Sequence, residues 1–277
     1  MAINLATKFE KKTSDLMVLR AKTSGIVNQD WDWDGVNAIK VYTLTDATIG
    51  NYSPSGANRY GSPDEVQDTV QTFTLSRDRS WTKSIDMSNL QDTLMVRRPA
   101  KYLAQVVKNK MIPEIDTYRL AALDTAAAVA SRDDIVADAA TTASNAYTNF
   151  LDINADISDN EAPEEGRVAL MTAAYYNKLK QGGFVLDSDR GQGKLDSGSL
   201  GTVDGCQVVV VPVVRMATNV DLVITHPSVM VAPEKLKEFN IHKNPPGISG
   251  YLIEYRHRYD AFVDTNRIDA AGEHKTS

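Results

Sequence analysis

Cysteine is almost absent from this 277-residue chain, with Cys206 its single example. Neither an intrachain disulfide nor a multi-cysteine zinc site can therefore form, and the chain suits a reducing compartment. Beside "QVVVVPVV", Cys206 reads as a small buried apolar residue. No uncharged run reaches membrane length, and the amino-terminal "MAINLATKFEKKTSDLM" lacks the sustained apolar stretch of a secretory leader. Aromatic residues are scarce at 7%, and 30 Lys and Arg against 36 Asp and Glu leave a net charge of −6. That balance argues against a broad phosphate-neutralising surface and leaves room only for local nucleic-acid contact. With 42% hydrophobic and 24% charged residues, the expectation is one or two linked soluble domains.

Motifs that would carry catalysis are missing as well. "DWDWDG" begins like a calcium loop at Asp30, Asp32 and Asp34, but its twelfth position is Val41 where a bidentate Glu is required. Trp31 and Trp33 are then read as docking the amino-terminal arm. "GQGK" lacks the spacing of a phosphate loop, and no Ser or Thr follows Lys194. No "GxSxG" occurs. The histidines have no metal-ligand spacing: His226 reads as a turn residue, His242 and His257 as surface or sheet positions, and His274 as part of a tail. Glu114, Asp116 and Arg119 lie together in one helical segment, where an intrahelical or intersubunit ion pair fits better than acid–base chemistry. No enzyme and no cofactor is expected.

What is present is an unusual order of elements. Residues 1 to about 27 form a basic arm with a helical stripe through Leu5, Phe9, Leu16 and Leu19. "VNAIKVYTLT" reads as a strand, and a Gly-, Pro- and Ser-rich stretch then reverses the chain. "QTFTLSRDRSWTKSIDMS" alternates strictly, with Phe73, Leu75, Arg77, Arg79, Trp81 and Lys83 on one face and short polar residues on the other. Neither face suits an ordinary core, so a partner surface is expected to cover it. From Pro99 to Ala130, Leu103, Val106, Val107 and Met111 recur at helical spacing; Pro113 is expected to kink or break this rod. Residues 131–165 hold nine acids against Arg132 alone, whereas 77–110 hold eight bases and three acids, either as solvated faces or as complementary surfaces between subunits. Beyond them, strand-like and helix-like pieces alternate through "GRVALMT", "AAYYNKLKQGG", a glycine-rich loop, "CQVVVVPVV", "DLVITHP" and "APEKLKEFNIH". The alternating "GYLIEYRHRY" closes a small sheet against the rod.

This order resembles the major capsid proteins of tailed bacteriophages, which share the Hong Kong 97-type fold. The resemblance spans nearly the whole chain and rests on "RDRSWTKSIDMSN" running into the helix, "PEIDTYRLAAL", "APEEGR", "GTVDGCQVVVVP" and "YDAFVDTNRI". It implies an α+β fold with an amino-terminal arm over 1–36, an extension loop over 37–89, and a peripheral domain with a spine helix over 90–142. An axial domain over 143–226 and a return to the peripheral domain over 227–277 complete it. The implied function is self-assembly into pentamers and hexamers of an icosahedral shell around double-stranded DNA. Such a protein resides in the virion and is assembled in the host bacterial cytoplasm. Phe73, Leu75, Arg77, Arg79, Trp81 and Lys83 would then meet a neighbouring subunit, and Asp187, Asp189, Arg190 and Lys194 would lie in the loop facing the capsomer axis. Implied partners are further copies of the chain, a portal, a decoration protein and weakly held DNA. Because the chain starts almost at the arm, no fused scaffolding region is expected, and assembly would use a separate scaffolding protein or none. Some members crosslink Lys to Asn; Lys83 is an available lysine, but no partner for it is evident. An encapsulin-like storage shell of the same fold and a soluble α+β enzyme are the rival readings.

Overall fold

The structure is a computed structural model describing residues 21–28, 33–34, 38–44, 47–92, 98–136, 140–182 and 201–276. Asp187, Asp189, Arg190, Lys194, Trp31 and most of the basic arm lie outside the described residues. The chain divides into a smaller unit, Asp30–Leu75, and a larger one made of Met1–Gln29 with Ser76–Ser277. In chain order, β1 (Val27–Asn28) precedes the smaller unit's β2 (Trp33–Asp34), β3 (Ala38–Leu44) and β4 (Asp68–Thr74). The larger unit resumes with β5 (Asp78–Asp86), α1 (Met87–Asp92), α2 (Pro99–Val106), a π-helical turn (Val107–Met111) and α3 (Ile112–Val129). Next come α4 (Ala146–Asp159), β6 (Val168–Thr172), α5 (Ala173–Gln181), β7 (Thr202–Val203), β8 (Cys206–Val211) and β9 (Val220–Thr225). The chain ends through β10 (Met230–Val231), β11 (Glu234–Lys243), β12 (Gly250–Tyr259), β13 (Phe262–Val263) and β14 (Ala271–Lys275). No helix among the described residues is long and apolar enough to cross a membrane.

The smaller unit is a ribbon in which β3 pairs antiparallel with β4 from Ala38 opposite Thr74 to Leu44 opposite Asp68, with β2 on the other edge of β3. Cross-strand neighbours share a face, so Tyr42, Leu44 and Val70 lie together, and they are 62%, 69% and 45% exposed. On the other face Ile39 is fully buried and Phe73 half-buried. Ile49, Tyr60 and Val66 in the connecting loop are also exposed. Positive φ at Gly56, Asn58 and Gly61 turns the chain there, and Gly61 N–H donates to the Asn58 carbonyl.

The long rod exists, and Pro113 does not break it. Ile112 N–H reaches back five residues to the Val107 carbonyl, and the widened turn ends just before the proline. A proline ring inside a regular helix would crowd the carbonyl four residues earlier and leave it unpaired. The π-turn relieves that conflict by shifting the ladder one residue, so α2, the turn and α3 run on for about 45 Å at about 1.5 Å per residue. The rod stops at Ser131, which takes φ +57°: Arg132 N–H bonds the Ala127 carbonyl and Ser131 N–H bonds Ala128. This is a Schellman stop built without glycine. The same device ends α4 at Glu161.

Five strands form the central sheet of the larger unit in the order β14-β9-β6-β8-β7, with β6 parallel to β8 and antiparallel to β9. Every residue of β6 is buried. Val168 and Leu170 pack with Leu120 and Leu123 of α3, while Ala169 and Met171 pack with Phe150 and Ile153 of α4 and Tyr175 of α5. Helices on both faces explain why this strand reads as continuously apolar. The last strand, β14, pairs with β9 and so joins the sheet of the 143–226 segment. One sequence expectation needs correction here. His274 is not a tail residue: it is fully buried, its Nδ1 faces Asp221 Oδ1 at 2.6 Å, and Asn149 Nδ2 lies 3.1 Å from its Nε2. His226 does take the turn role, accepting from Ser228 N–H.

A second sheet, β11-β12-β5, lies against the rod. "APEKLKEFNIH" is strand β11, drawn from its helix-forming composition by ladder pairing to β12. Met111, Tyr255 and Tyr259 form a cluster with Leu103, Val107 and Tyr118, which seats β12 on the rod as its alternation predicts. β12 begins at Gly250 opposite Asp86, where φ is +144° and a Cβ would strike the Ile85 carbonyl oxygen. Gly250→Ala is expected to lower the urea unfolding free energy of the subunit by about 3 kcal/mol through backbone strain. Gly247→Ala, also at positive φ (+80°) but facing open space, should cost about 1 kcal/mol. Equal costs at the two glycines would contradict this account.

Candidate functional site

The alternating segment at 71–88 is not one strand. It divides at Leu75–Arg77 between β4 of the ribbon and β5 of the larger unit. Asp260, 2% exposed, makes the division: its Oδ2 accepts Ser76 N–H at 2.8 Å and the Ser76 hydroxyl at 3.0 Å, while Oδ1 accepts the Tyr118 hydroxyl at 2.6 Å. Burial, together with the bond to this carboxylate, raises the Tyr118 hydroxyl to about 12. Beyond Ser76 the basic face of the segment turns onto the rod. Arg77 Nη2 lies 2.9 Å and Arg79 Nε 2.7 Å from Glu114 Oε1, and the Arg77 guanidinium stacks 4.1 Å over the Tyr118 ring. Burial alone would push the Glu114 carboxyl up, but the two arginine hydrogen bonds outweigh it and hold the group below its ordinary value.

β5 also pairs within the chain, with Trp81 opposite Tyr255 and Lys83 opposite Ile253. Trp81 stacks on Tyr255 at 6.0 Å and meets Tyr102 edge-on at 6.1 Å. The six residues of that face therefore divide between the two units. Arg77, Arg79 and Trp81 find complements in their own chain, Lys83 is exposed on β5, and only Phe73 and Leu75 belong to the ribbon. Alternation alone hides the change because Ser76 and Arg77 keep the period across it.

The acidic helix residues are likewise assigned to tertiary partners, not to one another. Asp116 is fully buried; its Oδ2 pairs with Arg215 Nη1 at 2.7 Å and accepts Lys22 N–H at 3.0 Å. Its Oδ1 accepts the Thr23 hydroxyl at 2.7 Å and Thr23 N–H at 3.3 Å. One carboxylate thus fastens the base of the amino-terminal arm and the turn holding Arg215 to α3. Arg119, also buried, donates to the Thr23 hydroxyl and lies 3.6 Å from Glu234 Oε1. The acid-rich and base-rich segments do not meet in the chain through their described ion pairs: Asp133 pairs with Lys275 and Asp156 with Arg132.

Little in this arrangement resembles a reaction centre. Among the described residues no group of three or more His, Cys, Asp or Glu side chains is placed to hold a metal ion. Cys206 is buried, which pushes its thiol up to about 11 and makes it a poor nucleophile. The polar clusters fasten segments together instead: Asp260 holds Ser76, Asp116 holds the arm base, and Arg132 holds β14 through the Ala271 and Asp269 carbonyls. Among the described residues, large exposed apolar side chains are most numerous in the smaller unit, at Tyr42, Leu44, Ile49, Tyr52, Tyr60, Val66 and Val70.

No protein-family model matches the chain, and no curated protein matches it in sequence. Solved structures do. The capsid structure of cyanophage P-SCSP1u matches with a TM-score of 0.77 at 14% identity, over 98% of this chain and 93% of that one. The mature capsid asymmetric unit of bacteriophage PhiM1 matches with 0.74 at 15% identity, over 98% and 92%. The head structure of Helicobacter pylori bacteriophage KHP40 matches with 0.69 at 12% identity, over 98% and 95%. At such identities the likeness lies in the path of the backbone, and it covers the whole path. The match runs over nearly the whole chain, so the chain has the α+β Hong Kong 97-type fold of these phage capsid structures.

Proposed function

We propose that this chain is a major capsid protein whose copies assemble as pentamers and hexamers into an icosahedral shell around double-stranded phage DNA. The observation that carries this reading is the likeness to phage capsid structures over 98% of the chain. The ribbon supports it. A ribbon of two seven-residue strands, flanked by the two-residue β2 and exposing Tyr42, Leu44 and Val70 on one face, is marginal in water and gains most by burial on another copy. Closed head-to-tail rings place one patch against a different patch, which suits a ribbon of this kind. The net charge of −6 fits a container whose DNA is held by confinement, with weak salt-sensitive contacts at most. A portal, a scaffolding protein and a decoration protein would complete the particle, which would be built in the bacterial cytoplasm and end as the virion.

Negative-stain microscopy and light scattering of the purified protein test this directly. Closed particles of megadalton mass are expected, since many interfaces of roughly 1,600 Å² each reinforce one another on a lattice. A species of one or a few copies at all concentrations would overturn the proposal. Particles from the native source protecting DNA from nuclease support the phage reading; particles filled with protein and free of DNA would move the assignment to a storage shell.

A further inference from the structure

Glu273 lies in β14 with 1% of its surface exposed and points at the long helix. The charged groups around it are Asp124 from α3, Arg132 and Asp133 from the turn after α3, and Lys275 from β14 itself. Val223 stands opposite on β9 and brings no charge. Neither cation is available to Glu273. Lys275 Nζ already bridges Asp124 Oδ1 at 2.9 Å and Asp133 Oδ2 at 2.8 Å. The Arg132 guanidinium is spent on Asp156 and on the Ala271 and Asp269 carbonyls. Among the described residues Glu273 Oε2 has no donor, and the carboxyl lies within hydrogen-bonding reach of that of Asp124.

Two carboxyl groups can hydrogen-bond only if one keeps a proton. Lys275 faces Asp124 and not Glu273, so the proton belongs on Glu273. Burial first, and the Asp124 and Asp133 carboxylates second, push this carboxyl up to about 9. Backbone bonds couple the site to its surroundings: Glu273 N–H donates to the Arg132 carbonyl, and Ile135 N–H to the Glu273 carbonyl. Moving Glu273 therefore moves the turn that ends the rod.

We propose that Glu273 and Asp124 form a proton-dependent latch that fastens the carboxy-terminal strand β14 to the long helix, closed while one proton bridges the two carboxyls and released when it is lost. The folded chain holds this proton where the unfolded chain gives it up near the ordinary carboxyl value. The latch thus contributes fully below about pH 4.5 and progressively less as pH rises to about 9. Hydrogen exchange of the β14 amides in the full chain at about pH 6.5 and about pH 9.5, corrected for intrinsic base catalysis, tests this. At the higher pH, opening of β14 should rise at least tenfold relative to β6, whereas Glu273→Gln, whose amide donates to Asp124 without a titrating proton, should show no such rise. An equal rise in both proteins, or none in either, overturns the latch. Infrared spectroscopy of the unsubstituted protein decides the matter even if the variant fails to fold. The carbonyl band of an un-ionised carboxyl should persist at neutral pH and vanish near pH 9; its absence at neutral pH overturns the proposal.

Discussion

Threonine at Tyr42, Leu44 and Val70 together is expected to leave the subunit folded and to raise the concentration needed for shell assembly by at least a hundredfold. The three side chains share one face of the ribbon and are largely exposed in the single chain. Threonine keeps the strand preference of the backbone and avoids placing a new carboxylate opposite Asp68. In the free subunit the change removes little buried area, so its unfolding free energy should move by less than about 0.5 kcal/mol. In a shell, each such side chain buried on a neighbour would contribute about 1.5–3 kcal/mol. Losing three at every contact is worth about 5 kcal/mol, or between three and four decades in the association constant. Particle yield by light scattering and microscopy measures the effect, and normal heads from the triple variant would refute the ribbon's role. Trp81→Ala is the informative contrast. Trp81 stacks on Tyr255 and packs against Leu90 and Tyr102, so its loss should destabilise the subunit itself by about 3 kcal/mol.

That contrast also marks where sequence reasoning works. Local periodicity is carried by neighbours in the chain, so the rod from Pro99, the paired ribbon strands and the alternating "GYLIEYRHRY" are legible from the residues alone. The continuously apolar "VALMT" is legible too, because helices on both faces demand it. What escapes is whatever is decided far along the chain. Asp260 splits the alternating segment from 184 residues away, and Arg215 answers Asp116 from 99 residues away. His274 sits in a run that looks like a polar tail, yet Asp221 and Asn149 satisfy both ring nitrogens and make burial tolerable. Pro113 carries a true local signal, a broken hydrogen-bond ladder, but the chain answers it with a π-turn that lets the helix continue. In each case residue type announces that a polar or steric problem exists, while only the fold says which distant group resolves it.

The second large effect is expected at Asp116. Its carboxylate faces Arg215 at 2.7 Å with both side chains almost fully buried, and it also holds Lys22 and Thr23. Removing the anion by Asp116→Ala takes from the buried Arg215 guanidinium the carboxylate it faces at 2.7 Å, which should cost about 3–5 kcal/mol of subunit stability. The damage has a particular location: amides from Lys22 to Ile26 should lose exchange protection first, because Asp116 is what their segment hangs from. Arg215→Met alone should be costly for the converse reason, since the buried Asp116 carboxylate would lose its 2.7 Å ion pair and be left with the Lys22 and Thr23 hydrogen bonds. The pair changed together, Asp116→Leu with Arg215→Met, should recover most of the loss, because burying two charges costs nearly as much as their attraction returns. Urea unfolding of the four proteins closes the cycle. A single-variant cost below about 1 kcal/mol, or a double variant no better than the singles, would show that this carboxylate does not fasten the arm to the long helix.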